Sequence, residues 1–543
     1  MTGLWDLATW ERRTEVLTPG DTLPQLFLNA VKARGDRVWL REKDLGIWRE
    51  WSWNRAAAAV REVAMGLADL GLQPGQTAGI LSNTVVEWVL ADLGVLCAGG
   101  VSNGIYPTDS TAQVEYLCND STTQVLFVED EEQLDKALEA RERIPSLKWI
   151  VVFDMEGLSG FDDPQVISLD ALRERGRAFD QAHPGEFDRR VASRGPDDLA
   201  ILVYTSGTTG KPKGAMHLHG ALTWTVRNAT VGLPQVEGDE RMCFLPLCHI
   251  AERMIGEISS IYAGSVLNFV ENPDTVPENV REISPTIFFA VPRVWEKFYS
   301  AVVIAVKESS RLQQLVYGWS IGVGARVADL VLQRQSVPAS LKWQFRLARF
   351  LALDNVRKMV GIHRARYLLT GAAPIAPDLI RWYLALGVPM LEGWGMTETT
   401  GLGTLNRPDS IRPGTIGTAA EGVEARIDPA TGEIQVRGRN VFAGYLNLPQ
   451  QTAETISPDG WLHTGDVGVV DEHGVFRITD RMKDIIITAG GKNITPSEWE
   501  NELKFSPYIT DAVVIGDKRA YLVCIVMIDQ ENVEKYAQDH DVP

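Results

Sequence analysis

The stretch "YTSGTTGKPKGAM", residues 204–216, places glycines, hydroxyl side chains and lysines directly behind the apolar run "LAILVYT". Glycines let backbone N–H groups approach a ligand closely, while hydroxyls and lysines add hydrogen-bond donors and positive charge. These groups belong to Thr205, Ser206, Gly207, Thr208, Thr209, Gly210, Lys211 and Lys213. A strand-like run that opens into such a loop predicts a cradle for a polyphosphate.

The spacing within this loop differs from that of a Walker A loop. A Walker A loop has four residues between its first glycine and the Gly-Lys pair, and a Ser or Thr follows the lysine. Here only two residues separate Gly207 from Gly210, and Pro212 follows Lys211. The alternative, a flexible surface turn, does not require hydroxyls and lysines to be concentrated behind a buried strand. The sequence therefore predicts a phosphate loop of another kind.

Length and charge narrow the class of protein. A chain of 543 residues is too long for one small core and indicates several domains. Its 53 Lys and Arg against 71 Asp and Glu give a net charge of −18. Such a surface repels phosphate polymers, so we expect no nucleic-acid partner. Any anionic ligand therefore needs a locally basic site.

The composition is typical of a cytoplasmic protein. The five cysteines have no CxxC pair and no histidines at metal-binding spacing, which indicates buried thiols in a reducing compartment. The N-terminal residues lack a basic segment followed by an apolar core, so we expect no signal peptide. No apolar stretch reaches about 18 residues, so we also expect no membrane-spanning segment. The cysteines are Cys97, Cys118, Cys243, Cys248 and Cys524.

Short apolar runs alternate with longer amphipathic ones, a pattern typical of α/β proteins with largely parallel sheets. Residues 83–100 predict a helix closed by glycines. Residues 415–480 predict a β-rich subdomain, because short strands alternate there with Gly and Asp turns, and a compact unit with a helix and two strands follows Arg481. The predicted buried strands are 77–82, 123–130, 149–154, 199–205, 265–271, 286–292 and 365–371.

Residues 299–360 have an almost wholly helical pattern and an unusual charge. Residues 301–358 contain nine basic and three acidic side chains, which is a local charge of +6 in a chain of −18. A basic amphipathic face can lie on an anionic membrane surface or contact an anionic ligand. The alternative is a helical layer that packs on the sheet and exposes a solvated basic edge.

Six further motifs follow the loop in order: "LPLCHIAER" (245–253), "AVPRVWEK" (290–297), "LLTGAAPI" (368–375), "GWGMTETTG" (393–401), "GWLHTGDVG" (460–468) and "ITDRMKDIIITAGGKNITPSEWEN" (478–501). With the loop, they resemble the adenylate-forming superfamily, and within it the long-chain fatty acyl-CoA synthetases, including the bubblegum type. The resemblance implies a large N-terminal domain over 1–480, built of two parallel-type α/β subdomains and a β-rich one. A small, mobile α+β C-terminal domain over 481–543 would follow.

The resemblance implies a reaction in two halves. A fatty carboxylate attacks the α-phosphorus of ATP to give acyl-AMP and pyrophosphate, and the thiol of coenzyme A then displaces AMP. Because the first half joins two anions, positioning and electrostatics must supply most of the rate. The loop at 205–213 suits the β- and γ-phosphates, with Lys211 as a catalytic cation.

The motifs at 393–401 and 368–375 are similar to the nucleotide site of that family. The resemblance assigns Trp394 and Gly395 to the adenine, Thr397 to phosphate oxygen and Glu398 to Mg²⁺, a hard cation that binds carboxylate and phosphate oxygen. Family members more often carry Tyr where Trp394 stands, but an indole also offers a stacking surface. The other wall of the adenine slot would be formed by Gly371, Ala372 and Ala373.

Two residues resemble the ribose ligands of the family. Asp466 can accept hydrogen bonds from both ribose hydroxyls, and Arg481 lies in the matching position of the next motif. An Asp before a turn is otherwise a common turn former. His249 would shape the carboxylate and acyl entrance, although a lone His beside apolar residues is more often a hydrogen-bonded core residue. We expect His217 and His219 to be structural.

The last motif resembles the region about which the small domain swings. Lys483 would be the hinge, since a hinge needs tolerant backbone angles and no buried anchor. Gly490 and Gly491 would leave room for the pantetheine arm, with Lys492 as the nearby cation. The family continues with a further stretch that carries a lysine for adenylation. The sequence ends at "KYAQDHDVP", so we expect an incomplete C-terminal domain and weak adenylation.

Three other functions stay open at this stage. An acyl-AMP ligase would deliver the acyl group to a carrier protein, and a binding protein would hold nucleotide or acyl-AMP without turnover. A peptide-synthetase adenylation domain is disfavoured, because no carrier domain follows and the basic helical insertion would be surplus. The acyl length and the oligomeric state are open as well.

Overall fold

The computed structural model describes residues 20–205, 210–481, 486–487, 493–504, 506–517, 519 and 521–539. The strands are β1 (Val38–Asp44), β2 (Ile47–Ser52), β3 (Thr77–Leu81), β4 (Val101–Ile105), β5 (Val125–Val128), β6 (Trp149–Val152), β7 (Val166–Ser168), β8 (Leu199–Thr205), β9 (Lys213–Leu218), β10 (Glu240–Cys243), β11 (Val266–Phe269), β12 (Ile287–Ala290), β13 (Tyr367–Thr370), β14 (Met390–Trp394), β15 (Thr404–Leu405), β16 (Thr418–Ala419), β17 (Glu424–Ile427), β18 (Glu433–Arg437), β19 (Leu462–Val470), β20 (Phe476–Arg481), β21 (Ile486–Ile487), β22 (Asn493–Ile494), β23 (Ile509–Ile515) and β24 (Val523–Ile528).

The helices alternate with these strands through most of the chain. They are α1 (Leu23–Arg34), α2 (Trp53–Asp69), α3 (Val86–Cys97), α4 (Thr111–Asp120), α5 (Glu131–Ala140), α6 (Leu169–Ala182), α7 (Glu186–Val191), α8 (His219–Gly232), α9 (Ile250–Glu252), α10 (Ser259–Ala263), α11 (Val276–Ile283), α12 (Pro292–Glu308), α13 (Arg311–Leu332), α14 (Ala339–Ala348), α15 (Asp354–Val360), α16 (Pro377–Ala385), α17 (Pro449–Thr455), α18 (Pro496–Lys504) and α19 (Gln530–Asp539). Two π-helical turns, Arg253–Ile258 and Arg349–Leu353, interrupt the helical runs.

Three sheets that contain parallel strands form the large part of the molecule. The first has the order β7-β6-β5-β3-β4-β8-β9, and only its β8–β9 pair is antiparallel. The other two have the orders β10-β11-β1-β2 and β12-β13-β14-β15-β16, and the Thr286 N–H, just before β12, donates to the Glu240 carbonyl of β10 (2.9 Å). Strands buried on both faces have near-continuous apolar sequences, as in β3 and β5.

The packing of helices on these sheets is close. In α3, Gly94 faces α2, and a Cβ atom there would lie 2.4 Å from Cγ1 of Val63. Only glycine lets the two helices approach this far, so the position has a packing reason. Strands β17–β20 form a separate antiparallel sheet of four strands.

The C-terminal unit contacts the large part through α12. The Arg293 guanidinium donates to the Thr510 carbonyl (3.0 Å), and the Lys307 ammonium donates to the Tyr508 hydroxyl (3.0 Å). In this unit α18 packs on β23, which pairs with β24, and all six side chains of β24 are exposed.

Most predicted elements are present. The seven predicted strands are β3, β5, β6, β8, β11, β12 and β13, the helix expected over 83–100 is α3, and 299–360 is helical. One expectation is wrong: Cys524 is exposed, unlike the other four thiols, because it lies on β24. Helix α13 is long and apolar enough, by length and composition alone, to cross a membrane, and the expectation of no membrane-spanning segment stays a prediction.

Candidate active site

The hairpin of β8 and β9 positions the phosphate loop. Thr205 and Lys213 are register partners at the loop end of the hairpin, and Gly210 and Lys211 lie in the loop between them. The Tyr116 hydroxyl donates to the Pro212 carbonyl (3.0 Å), and the Lys211 ammonium lies 4.8 Å from the Tyr116 ring centroid. A cation over a ring face is attracted by the ring quadrupole. Both contacts tie the loop to α4.

Strand β9 is joined to residues 443–446 by backbone hydrogen bonds. The Ala443 N–H donates to the Met216 carbonyl (2.9 Å), and the Leu446 N–H donates to the Gly214 carbonyl (2.8 Å). Between these bonds stands Tyr445, whose ring centroid lies 4.9 Å from the Lys213 ammonium. The loop strand is thereby fixed against Tyr445.

Tyr445 links the loop to the acidic motif residue. Its hydroxyl donates to Oε1 of Glu398 (2.6 Å), and the Glu398 side chain is buried. Burial first, and the Glu398 charge second, raise the pKa of Tyr445 well above its usual range. The phenol therefore stays protonated and holds the carboxylate in one orientation. Lys213, Tyr445 and Glu398 form a contiguous chain of contacts.

The motif loop after β14 is rigidly held. Thr397 and Glu398 lie in one turn of 3₁₀-helix, and the Thr400 hydroxyl donates to the Asn440 carbonyl (2.7 Å). The Asn440 amide donates to the Leu402 carbonyl (2.5 Å). At Gly395 a Cβ atom would lie 2.4 Å from the Gly401 carbonyl oxygen, so the loop folds back on itself only with glycine there.

Trp394 and Asp466 meet across the site. The indole Nε1–H of Trp394 donates to Oδ2 of Asp466 (2.8 Å), and Oδ1 of Asp466 lies 3.3 Å from Nε of Arg481. Arg481 is the register partner of Asp466 in the β19–β20 pair. Burial raises the pKa of the Asp466 carboxyl, while the bonds from Trp394 and Arg481 oppose that rise. A carboxylate has about four acceptor positions, so two protein donors leave room for a diol.

The segment at 371–373 lies beside the motif strand. Thr370 and Glu392 are register partners in β13 and β14, and a Cβ atom at Gly371 would lie 2.9 Å from the Gly393 carbonyl oxygen. Ala372 has φ of +66°, and both Ala372 and Ala373 are exposed. Small side chains therefore border the strand that carries Trp394, and their role as a wall of the adenine slot stays a prediction.

The carboxylates of the site differ in environment. Burial raises the pKa of Glu392 to about 8, although its carboxyl accepts a hydrogen bond from the Gly414 N–H (3.0 Å). Among the residues that the structure describes, no cluster of three or more His, Cys, Asp or Glu side chains forms a metal cage. A lone carboxylate such as Glu398 suits Mg²⁺ only when phosphate oxygens complete the coordination.

The histidines have structural contacts. His249 caps α9, because its Nδ1 accepts a hydrogen bond from the Ala251 N–H (3.1 Å), and burial lowers its pKa. This hydrogen bond gives His249 a structural role that needs no catalytic function. The role of His249 at the acyl entrance stays a prediction. Burial lowers the pKa of His217 to about 3 and that of His219 to about 4, as expected for structural histidines.

The structure brings the predicted residues together in two contact groups: Lys213 reaches Glu398 through Tyr445, and Trp394 contacts Asp466, which also contacts Arg481. The remaining predicted residues of the loop and hinge lie outside the described residues: Ser206, Gly207, Thr208, Thr209, Lys483, Gly490, Gly491 and Lys492. Sequence reasoning missed Tyr445, Asn440 and Glu392. Tyr445 is 47 positions from Glu398, and the only sequence signal for it is a lone aromatic residue between Gly444 and Leu446 in "AGYLNLP".

The chain belongs to the AMP-binding enzyme family. The AMP-binding enzyme model matches residues 27–446, and the AMP-binding enzyme C-terminal domain matches residues 483–542. The long-chain-fatty-acid–CoA ligase ACSBG2 of Xenopus laevis is 35% identical over 523 residues, covering 94% of this chain and 70% of that protein. The ligase ACSBG1 of Homo sapiens is 31% identical over 522 residues, covering 93% and 70%. The expected resemblance to bubblegum-type synthetases is confirmed.

Solved structures confirm the fold. The anthranilate CoA ligase AuaEII in complex with anthranoyl-AMP has a TM-score of 0.73 at 22% identity, covering 96% of this chain and 90% of that one. The A domain of carboxylic acid reductase from Segniliparus rugosus, in complex with AMP and a co-purified carboxylic acid, has a TM-score of 0.73 at 21% identity, covering 98% and 88%. The chain therefore has the mixed α/β fold of adenylate-forming enzymes.

Proposed function

We propose that the protein is a cytoplasmic ligase that activates a long-chain fatty acid with ATP and transfers the acyl group to coenzyme A. The observation that carries the proposal is the contact chain Lys213–Tyr445–Glu398 beside the pair Trp394–Asp466. The first set of contacts links a lysine of the phosphate loop to a buried carboxylate, and the second joins the aromatic residue of the same motif to an acceptor suited to a diol. The relatives named for this reaction support the same assignment.

Each group of site residues has its own role in adenylation. Lys211 and Lys213 offset the charge of the β- and γ-phosphates and of the departing pyrophosphate, so that two anions can meet. Trp394 and the small residues 371–373 hold the adenine, while Asp466 and Arg481 hold the ribose. Fixed at both ends, the nucleotide presents its α-phosphorus to the fatty carboxylate in one orientation.

We also propose a magnesium ion at Glu398. Thr397 and Glu398 would hold it together with phosphate oxygens of the nucleotide, and it would supply charge neutralisation when bound. Tyr445 orients the Glu398 carboxylate for this task. Residues 1–480 and 481–543 would act as the large and small domains, with Lys483 as hinge and with Gly490, Gly491 and Lys492 along the thiol passage.

The proposal is tested by incubating the protein with ATP, Mg²⁺ and a series of carboxylic acids from acetate to long-chain acids, with and without coenzyme A. We expect AMP release to be greatest with long-chain acids and acyl-CoA to appear by mass spectrometry. AMP or acyl-AMP without acyl-CoA would favour delivery to a carrier protein. Nucleotide binding without any pyrophosphate release would overturn the ligase assignment.

A further inference from the structure

The helical layer after α12 leaves large apolar side chains in solvent. Phe350 is 79% exposed, Leu315 is 72% exposed and Trp343 is 65% exposed. Side chains of this size are normally buried, and a contiguous exposed group of them marks an interaction site. We name this surface the helical face, and its apolar members are Leu312, Leu315, Trp319, Trp343, Phe350 and Leu351.

These side chains lie on helical segments that pack against one another. Leu312, Leu315 and Trp319 follow each other at helical spacing on α13 and share one side of it. Helices α13 and α14 are joined by six residues, and the Arg326 guanidinium donates to Oε1 of Gln344 (3.5 Å), so the two helices form an antiparallel hairpin. Trp319 precedes Arg326 by seven residues and Leu351 follows Gln344 by seven residues. Because the two helices are antiparallel, Trp319 and Leu351 lie at a similar level along the helix axes.

The opposite side of α13 is anchored to the protein. The Trp382 indole on α16 donates to the Tyr317 hydroxyl (3.0 Å). At Gly324 a Cβ atom would lie 2.1 Å from the Ala385 carbonyl oxygen, so α13 and α16 are in close contact. Although α13 has the length and hydropathy of a membrane span, this anchoring makes it a surface helix with one free side.

The same layer concentrates positive charge. Its Asp354 carboxylate is already engaged by Arg349 (3.0 Å) and Arg357 (3.3 Å). Among the described residues no ion pair engages the exposed basic side chains Arg311, Arg326, Lys342, Arg346 and Lys358. The whole chain carries −18, so an anionic surface attracts this layer and repels most of the molecule.

We propose that the helical face docks on an anionic lipid bilayer, at the cytoplasmic leaflet. Trp and Phe side chains partition into the boundary between headgroups and acyl chains, and flanking Lys and Arg bind lipid phosphates. An aromatic and leucine surface rimmed by unpaired basic groups fits this partner by charge and by shape. The opposite charge of the remaining surface fixes the orientation, with α16 and the sheet behind it facing away from the bilayer.

The experiment is co-sedimentation of the full chain with vesicles of phosphatidylcholine alone or mixed with phosphatidylglycerol. We expect binding to the mixed vesicles, and its loss at high salt. The double substitution Lys342→Glu with Arg346→Glu should lower the partition coefficient by at least about 25-fold. This is about fivefold for each basic side chain that is lost. Trp343→Glu and Phe350→Glu should each lower it by about tenfold or more.

Matched controls are Ile47→Glu, which alters an exposed apolar side chain on β2, and Lys32→Glu, which alters an exposed lysine on α1. Both should bind vesicles as the unaltered protein does. Thermal unfolding of every variant separates misfolding from lost binding, and Trp343→Phe should retain most of the binding. Equal binding by all variants, or no binding to phosphatidylglycerol vesicles, overturns the proposal and leaves the face to a protein partner. The assay scores binding alone, so its outcome is independent of the ligase reaction.

Discussion

The indole N–H of Trp394 donates to the carboxylate of Asp466 across 72 positions of sequence. This bond ties the end of β14 to β19, and thereby joins the residue proposed for the adenine to the residue proposed for the ribose. If Trp394 and Asp466 have the proposed roles, nucleoside recognition depends on this buried contact between the two strands.

Trp394→Phe keeps an aromatic ring and removes the donor to Asp466. We expect the KM for ATP to rise about tenfold with a smaller change in kcat, because a buried carboxylate loses a partner worth about 1–3 kcal/mol. Trp382→Phe is the matched control, since it removes the indole bond to Tyr317 away from the site. Equal KM values in the two variants would refute the assignment of Trp394.

Tyr445→Phe tests the orientation of Glu398. Loss of the hydroxyl frees the carboxylate, so the Mg²⁺ concentration for half-maximal AMP formation should rise about tenfold, as for a hydrogen bond to a charged group. Tyr383→Phe serves as control, because its buried hydroxyl donates to the Trp295 carbonyl (2.9 Å). An unchanged Mg²⁺ dependence in Tyr445→Phe would show that the bond is structural only.

Glu392→Gln should change stability with a defined sign. The pKa of Glu392 is raised to about 8 in the folded protein, so its contribution to stability is present below its unfolded pKa and is lost as pH rises through about 8. A glutamine does not ionise, so the variant does not lose this stability as the pH rises. We expect the variant to match the unaltered protein near pH 5 and to exceed its Tm at pH 9, and the reverse ranking would disprove the neutral state of Glu392.

A buried ion pair predicts a large stability effect away from the site. Arg253 lies on the first π-helical turn, pairs with Asp92 of α3, and lies 5.0 Å from the Trp88 ring. Asp92→Ala should lower the free energy of unfolding by about 3–5 kcal/mol, because it leaves a buried charge unpaired. Asp180→Ala, which breaks a partly exposed pair with Arg61, should cost less than about 1 kcal/mol. Urea unfolding compares the two variants, and similar costs would contradict this account.

The local features of the fold were predictable from the sequence. Apolar runs such as 77–82 and 199–205 are continuous because their strands are buried on both faces, and local composition records that burial. The sequence motifs predict Trp394 and Asp466 as site residues, and the structure places the two side chains in contact. Their hydrogen bond was not foreseen, since no local pattern relates positions 72 residues apart.

Other features depend on tertiary contacts. Tyr445 gains its role only because residues 443–446 pair with β9, and Asn440 only because the motif loop folds over it. The pKa of Glu392 depends on burial, which its position in a strand after Leu391 does not reveal. His249 has the residue type of a catalyst but the contact of a helix cap.

The central claim is that the loop at 205–213 and Glu398 act on one triphosphate, and fatty-acid-dependent exchange of pyrophosphate into ATP tests it most directly. Lys213→Ala and Glu398→Gln should each slow the exchange by about 100-fold, and the double variant should lose far less than the product of the two, because the groups act as a unit. Exchange by Glu398→Gln within about twofold of the unaltered protein, or losses that multiply fully in the double variant, would contradict the claim.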